Sequence, residues 1–284
     1  MNDYFHWDVH RVLFHLGPLE IRYYGLFFAA GLLVSVHMMG RSFRDRGLPE
    51  KHAGTLSVLL PIGMLVGAHL VHLIFYEPRS IIENPIRIIE IGKGLASHGG
   101  GLGVVLALLW FTRRHGVSWH RYADAVVIGA VWMILFVRIG NFFNSEIVGR
   151  VTDVPWGVVF VQLGEDFPRH PSQLYEAILG MALIGLAMFM HAKRDRLRDG
   201  ATLYTLMGIY FGVRFFLEYF KEYQAESLTP EFPFTMGQLL SGPVALFCGY
   251  MALFSRRCGL LSQPKPPASD EGESDERAAT RARG

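Results

Sequence analysis

The feature that most constrains this chain is a succession of seven apolar runs joined by short polar loops. They lie near residues 21–39, 54–76, 98–112, 122–142, 172–191, 201–220 and 237–255. A helix needs roughly 20 mostly apolar residues to cross a bilayer. Within lipid, a single segment satisfies its own backbone polar groups only as a helix. The runs therefore predict an all-α, polytopic membrane protein of about seven transmembrane helices. The charged fraction, 18%, is low against the ~25% of an average soluble domain. That depletion argues against a disordered chain and an ordinary soluble enzyme. The third run is short, and its glycine-rich start predicts a break in the helix. No internal repeat is evident.

Basic residues set the expected orientation, because lysine and arginine gather in short cytoplasmic loops. Fourteen of them fall in the loops after runs one, three and five and at the start of the tail, against eight on the opposite side. Seven spans then place the N-terminus outside and the C-terminus in the cytoplasm. The division expected is an outer N-terminal segment (1–20), a seven-helix transmembrane domain (21–255) and a disordered cytoplasmic tail (256–284). Residues 1–20 lack the basic start and continuous apolar core of a signal peptide. The Pro-, Ser-, Glu- and Arg-rich tail suits disorder. Two cysteines, Cys248 and Cys258, cannot make a disulfide framework or a four-ligand zinc site. They read as a buried small residue and a membrane-edge residue.

Two arginines, Arg138 and Arg214, sit inside apolar runs. A charge at that depth costs about 2.5–3.5 kcal/mol on insertion scales, so it usually faces a cavity or a partner. Snorkelling to the headgroups is the simpler alternative for each. With the expected orientation, both lie in the outer half of the membrane. His69, His72 and His98 fall on that side, as do Tyr23, Tyr24, Arg169, His170, Gln173, Tyr175 and Glu176. Helical spacing puts Tyr210, Arg214, Glu218 and Lys221 on one face, where Arg214 and Glu218 can pair. Arg138 and Asn141 share another, followed by Asn144 and Glu146. Two guanidinium forks on one cavity suit a phosphate. His98, beside three glycines, is a candidate base, since an unperturbed imidazole titrates near neutrality. No hydrolase or zinc-protease motif occurs, and nothing calls for a metal or cofactor.

These residues resemble a known family. The run from Arg138 through Asn141, Asn144, Glu146 and Gly149 to Arg150 is similar to the signature of bacterial prolipoprotein diacylglyceryl transferases. The resemblance extends over roughly residues 23–241. It takes in Tyr24-Gly25, Gly67-Ala68-His69, His98-Gly99-Gly100, Arg169 to Glu176, Arg214 to Lys221, and Met236-Gly237-Gln238. It implies a seven-span enzyme of the bacterial inner membrane. Such an enzyme transfers the diacylglyceryl group of phosphatidylglycerol to the lipobox cysteine thiol of a prolipoprotein. The products are a thioether and glycerol 1-phosphate, in the first step of lipoprotein maturation. The family's essential arginines fall on Arg138 and Arg214, and its histidine on His98. Its other important residues fall on Asn141, Glu146, Gly149, Tyr24 and Tyr210. The chain departs from the pattern at Val137, where glycine is common, and at His69 and Lys221, where arginine is. A lysine keeps the charge but not the bidentate geometry.

The expected scheme holds the lipid phosphate on Arg138 and Arg214, with His98 activating the substrate thiol. Asn141, Glu146, Arg150 and Gln173 shape the entrance, and Asn144, Gly149, Tyr210, Tyr24 and Glu218 join them in the substrate-binding set. A transporter would carry polar residues into the inner halves of the spans, which are largely apolar in the fourth and sixth. A lipid-binding scaffold would leave His98 and Asn141 without a role.

Overall fold

A computed structural model describes residues 4–75, 77–90, 94, 96–222, 234–255, 258 and 260; the side chains of residues 81, 82, 97 and 98 are not described. The chain is mostly helical. The helices are α1 (Tyr23–Asp45), α2 (Glu50–Phe75), the short α3 (Pro78–Glu83), α4 (Ser97–Arg114), α5 (Trp119–Phe143), α6 (Ser172–Ala192), α7 (Ala201–Leu217) and α8 (Met236–Leu253). Seven of these coincide with the seven apolar runs. Among the described residues, α1, α2, α5, α6 and α8 are long and apolar enough to cross a membrane. Helices α4 and α7 are not in that group.

Helix α5 is central: α1 packs on one side of it and α6 on another, while α2 pairs with α4 and α7 with α8. Its Val127, Ile128 and Val131 meet Leu179, Leu183 and Ala187 of α6 and Leu206 of α7. The outer faces remain apolar. Leu33, Val58, Leu106, Trp110, Phe189 and Leu246 are all exposed. So much exposed apolar surface on long helices suits a lipid environment, not water.

The expected break in the third run is not there. Helix α4 is continuous from Ser97, and its glycines serve packing instead. Gly99 and Gly103 interlock with Gly67 and Gly63 of α2. A Cβ on Gly67 would stand 2.4 Å from the carbonyl oxygen of Gly99, and one on Gly103 would stand 2.0 Å from that of Gly63. Glycine spaced by four brings two helix backbones together, which van der Waals packing rewards in a membrane.

The N-terminal segment carries β-structure that the all-α reading omitted. Strand β1 (Phe5–Trp7) pairs in parallel with β4 (Val158–Phe160), and β2 (Val12–Leu16) forms an antiparallel hairpin with β3 (Leu19–Arg22). The hairpin turns at Gly17, with φ of +61°, followed by Pro18. Glycine supplies the positive φ of such a turn. Strand β3 runs straight into α1, so helix begins at Tyr23.

The two ends of the bundle differ. At one end Asp124, in the first turns of α5, accepts hydrogen bonds from the backbone N–H groups of Gly200 and Leu203, each at 2.8 Å. It also lies 3.8 Å from Arg46. One carboxylate thus caps α7 from a neighbouring helix and ties in the end of α1. His191 bonds Asp45 there at 2.9 Å. Both cysteines are buried and cluster with Tyr204. Apart from Cys258 and Leu260, the expected tail lies outside the described residues. The candidate functional residues occupy the opposite end.

Candidate functional site

Helix α5 ends, α6 begins and α7 ends at one level, and each contributes a charge. Arg138 Nε lies 2.8 Å from Glu176 Oε2, and Arg214 Nη1 lies 3.0 Å from the same oxygen. Lys221, just past α7, pairs its Nζ with Oε1. Glu176 has no solvent exposure (0%), while its three cations keep a little. A buried charge requires pairing, and here one carboxylate holds three cations. Arg214 therefore meets a glutamate 38 residues away. Glu218, four residues on and its expected partner, is 3.6 Å from Lys221. Each guanidinium has five N–H donors and spends only some of them here. The sequence puts Glu176 with the outer-half polar residues but does not mark it as the hub. Its one local signal was an acidic residue three positions after Gln173 in an apolar helix.

A second chain of hydrogen bonds leads from Arg138 into the turn after α5. Arg138 Nη1 donates to Asn141 Oδ1 at 3.1 Å, and Asn141 Nδ2 donates to Glu146 Oε1 at 2.7 Å. Asn144 Nδ2 reaches Glu146 Oε2 at 3.4 Å. From α6, Gln173 Nε2 donates to the Glu146 carbonyl at 2.7 Å and Ser172 Oγ to the Ile147 carbonyl at 2.8 Å. The turn is strained. Ser145 and Ile147 have φ of +52° and +57°. A β-branched residue rarely adopts that region, and such conformations cost about 1–3 kcal/mol each. The bonds from α6 hold it.

Gly149 and Arg150 continue the turn as backbone links. Gly149 N–H donates to the His170 carbonyl and Arg150 N–H to the Phe220 carbonyl, each at 2.9 Å. A Cβ on Gly149 would stand 2.5 Å from the His170 oxygen and 2.6 Å from that of Phe220. Glycine is required by that double approach. Arg150 Nε donates to the Lys221 carbonyl at 2.9 Å. Arg169 clamps the same loop through Glu165, Glu222 and the Gly149 carbonyl. The Glu165 hydrogen bond holds its guanidinium above the ordinary value, and burial pushes the His170 imidazole down.

The remaining predicted residues divide. Tyr210 interacts with Arg214 one turn on. Tyr24 packs against Gly140, within electrostatic range of Arg138 and Glu146. Glu218 lies under the start of α8, where a Cβ on Gly237 would stand 2.3 Å from Glu218 Oε1. Gln238 caps α8 with Thr235 and donates to the Phe215 carbonyl at 3.3 Å. His69 is not in the cluster: its Nε2 contacts the Arg87 and Ile88 carbonyls at 3.0 and 3.2 Å, docking the loop after α2. His98 occupies the first turn of α4, and its side chain lies outside the described residues.

Comparison with known proteins bears on this arrangement. A family model described as prolipoprotein diacylglyceryl transferase matches residues 11–254. The chain is similar to a protein of Tolumonas auensis named phosphatidylglycerol--prolipoprotein diacylglyceryl transferase, 38% identical over 237 residues, 83% of this chain and 89% of that protein. Relatives with the same name occur in Chloroherpeton thalassium (36% over 258 residues; 89% and 94% covered) and Geobacter sulfurreducens (37% over 250; 87% and 95%).

Proposed function

The chain belongs to the prolipoprotein diacylglyceryl transferase family, and on that premise we propose how its cation cluster performs the transfer. The protein is a multi-pass membrane transferase. It moves the diacylglyceryl group of phosphatidylglycerol to a prolipoprotein in lipoprotein maturation.

In the proposed scheme the acceptor is the lipobox cysteine. Its thiolate attacks the glyceryl carbon that bears the phosphate. The carbon–sulfur bond forms as the carbon–oxygen bond breaks, and glycerol 1-phosphate leaves with the electron pair. One more negative charge collects on the phosphate. Arg138 and Arg214 hold the phosphate with the donors that Glu176 leaves unspent, and stabilise that growing charge. Glu176 fixes both forks and Lys221 in place, so their geometry precedes the substrate. Asn141 and Glu146 orient Arg138 from its other side, and Tyr210 does so for Arg214. His98 takes the thiol proton, because the thiolate is the nucleophile. The single observation that carries this reading is the convergence of Arg138, Arg214 and Lys221 on Glu176.

All seven long helices span the inner membrane in this reading, with residues 21–255 as one catalytic domain. The N-terminus is periplasmic, and the basic loops face the cytoplasm. The site then opens where a secreted precursor emerges.

The test uses purified protein, phosphatidylglycerol and a lipobox peptide with Cys or Ser at the acceptor position. A mass gain on the cysteine peptide with glycerol phosphate release is expected, and neither with the serine peptide or with Arg138→Ala. Arg138→Lys, which keeps charge and loses the fork, should lose about 100-fold in rate, the cost of one preorganised donor. Full activity in that variant would overturn bidentate phosphate holding.

A further inference from the structure

The turn after α5 holds polar atoms that the transfer scheme does not use. Gln173 and Ser145 are both almost fully buried. Gln173 Nε2 faces the Glu146 carbonyl, an acceptor only, so its amide orientation is fixed and Oε1 points elsewhere. Among the described residues, that Oε1 has no hydrogen-bond partner, and neither do Ser145 Oγ and Asn144 Oδ1. Buried polar atoms of this kind are rare, and leaving one unmade costs about 1–3 kcal/mol. Three within one short turn and the residue bonded to it, beside Arg138, point to a missing donor.

Their chemistry narrows the donor. Two are amide oxygens and one is a hydroxyl, and all are neutral. Glu146, the carboxylate between them, already accepts from Asn141 and Asn144. The three unpartnered atoms carry no charge, so they offer an ammonium group nothing to offset its lost hydration. Hydroxyl groups fit. The strained φ of Ser145 is consistent with a position maintained for ligand contact, not for packing.

Resting on the proposed phosphate site, we infer that Gln173, Ser145 and Asn144 read the hydroxyls of the donor lipid's polyol headgroup, the part that leaves. The phosphate on Arg138 would place that headgroup over the turn. Selectivity for the headgroup then comes from donors supplied by the substrate to waiting acceptors. Such sites reject analogues that lack the hydroxyl, because the protein's polar groups are left unpaired.

The experiment compares phosphatidylglycerol with phosphatidyl-1-propanol, which keeps the phosphodiester charge and the carbon chain but has no headgroup hydroxyls. Turnover with a lipobox peptide and binding in nanodiscs are both measured. The wild type should prefer phosphatidylglycerol by about 10- to 100-fold in kcat/KM, and in the same direction in binding. Ser145→Gly deletes the hydroxyl while accommodating the positive φ, and Gln173→Met deletes the amide at similar size. Each should move the ratio toward one. Equal use of the two lipids by the wild type overturns the inference. So does a variant that slows both lipids by the same factor, or one that raises the peptide KM with the lipid preference intact. A preference in binding without turnover would count against the transfer reading while supporting this one.

Discussion

Replacing Glu176 by glutamine tests the organisation of the cation cluster directly. The carboxylate is fully buried, with Arg138 at 2.8 Å, Arg214 at 3.0 Å and Lys221 on its other oxygen. Removing one partner of a buried ion pair costs about 3–5 kcal/mol, because the charge left behind is uncompensated. Here three charges are left, and the glutamine amide would direct N–H donors at cations. The upper part of that range applies. Domains of 150–250 residues lose about 2–4 °C in Tm per kcal/mol, so a loss of about 4–5 kcal/mol should lower the Tm of Glu176→Gln by about 8–20 °C. The readout is thermal unfolding in detergent, followed by the fraction of monodisperse protein after heating. Adding Lys221→Met removes one surplus cation and should restore part of the loss. The non-additivity of the pair then measures their coupling. A Glu176→Gln protein that melts with the wild type would refute the argument: the convergence would be incidental. A double variant no more stable than the single would show that Lys221 is not held by Glu176.

Three further outcomes follow from geometry elsewhere. Asp124→Asn should lower Tm while turnover of the folded fraction is retained, because two backbone N–H bonds to the start of α7 depend on that carboxylate; about 1–3 kcal/mol is at stake. Gly67→Ala should separate α2 from α4 and destabilise by about 1–3 kcal/mol, whereas Gly101→Ala, with open space around it, should be neutral or stabilising; equal melting of the two variants would contradict the interlocked packing. Glu77 is held below the ordinary carboxylate range, first by its hydrogen bond from Arg87 and then by that from His72. A depressed folded pKa adds stability that is complete above the unfolded value, about 4.3, and is lost as pH falls through the folded one. Anchoring of residues 77–90, read by amide hydrogen exchange, should loosen below about pH 4 in the wild type, and Glu77→Gln should flatten that dependence.

Apolar periodicity located seven helices to within a few residues, because a long apolar run kept from water satisfies its own backbone polar groups only as a helix. It missed the strands at residues 5–7 and 158–160. Their pairing joins segments more than 150 residues apart and leaves no local pattern. It also misread the glycines of α4. Close packing and helix breaking draw on the same residue, and only the facing glycines of α2, at Gly63 and Gly67, distinguish them.

The site shows the same boundary between local and distant information. Helical spacing paired Arg214 with Glu218, since i and i+4 are neighbours on one surface. In the bundle, a guanidinium at the end of α7 can also reach across to α6, where Glu176 is fully buried and Glu218 is not. A charge inside an apolar helix gains most from the least hydrated partner within reach, and that partner is set by helix packing, not by spacing. The arginines were legible because they were out of place for their own helices. Their organising carboxylate was not, because what makes Glu176 exceptional is the three cations that other elements bring to it.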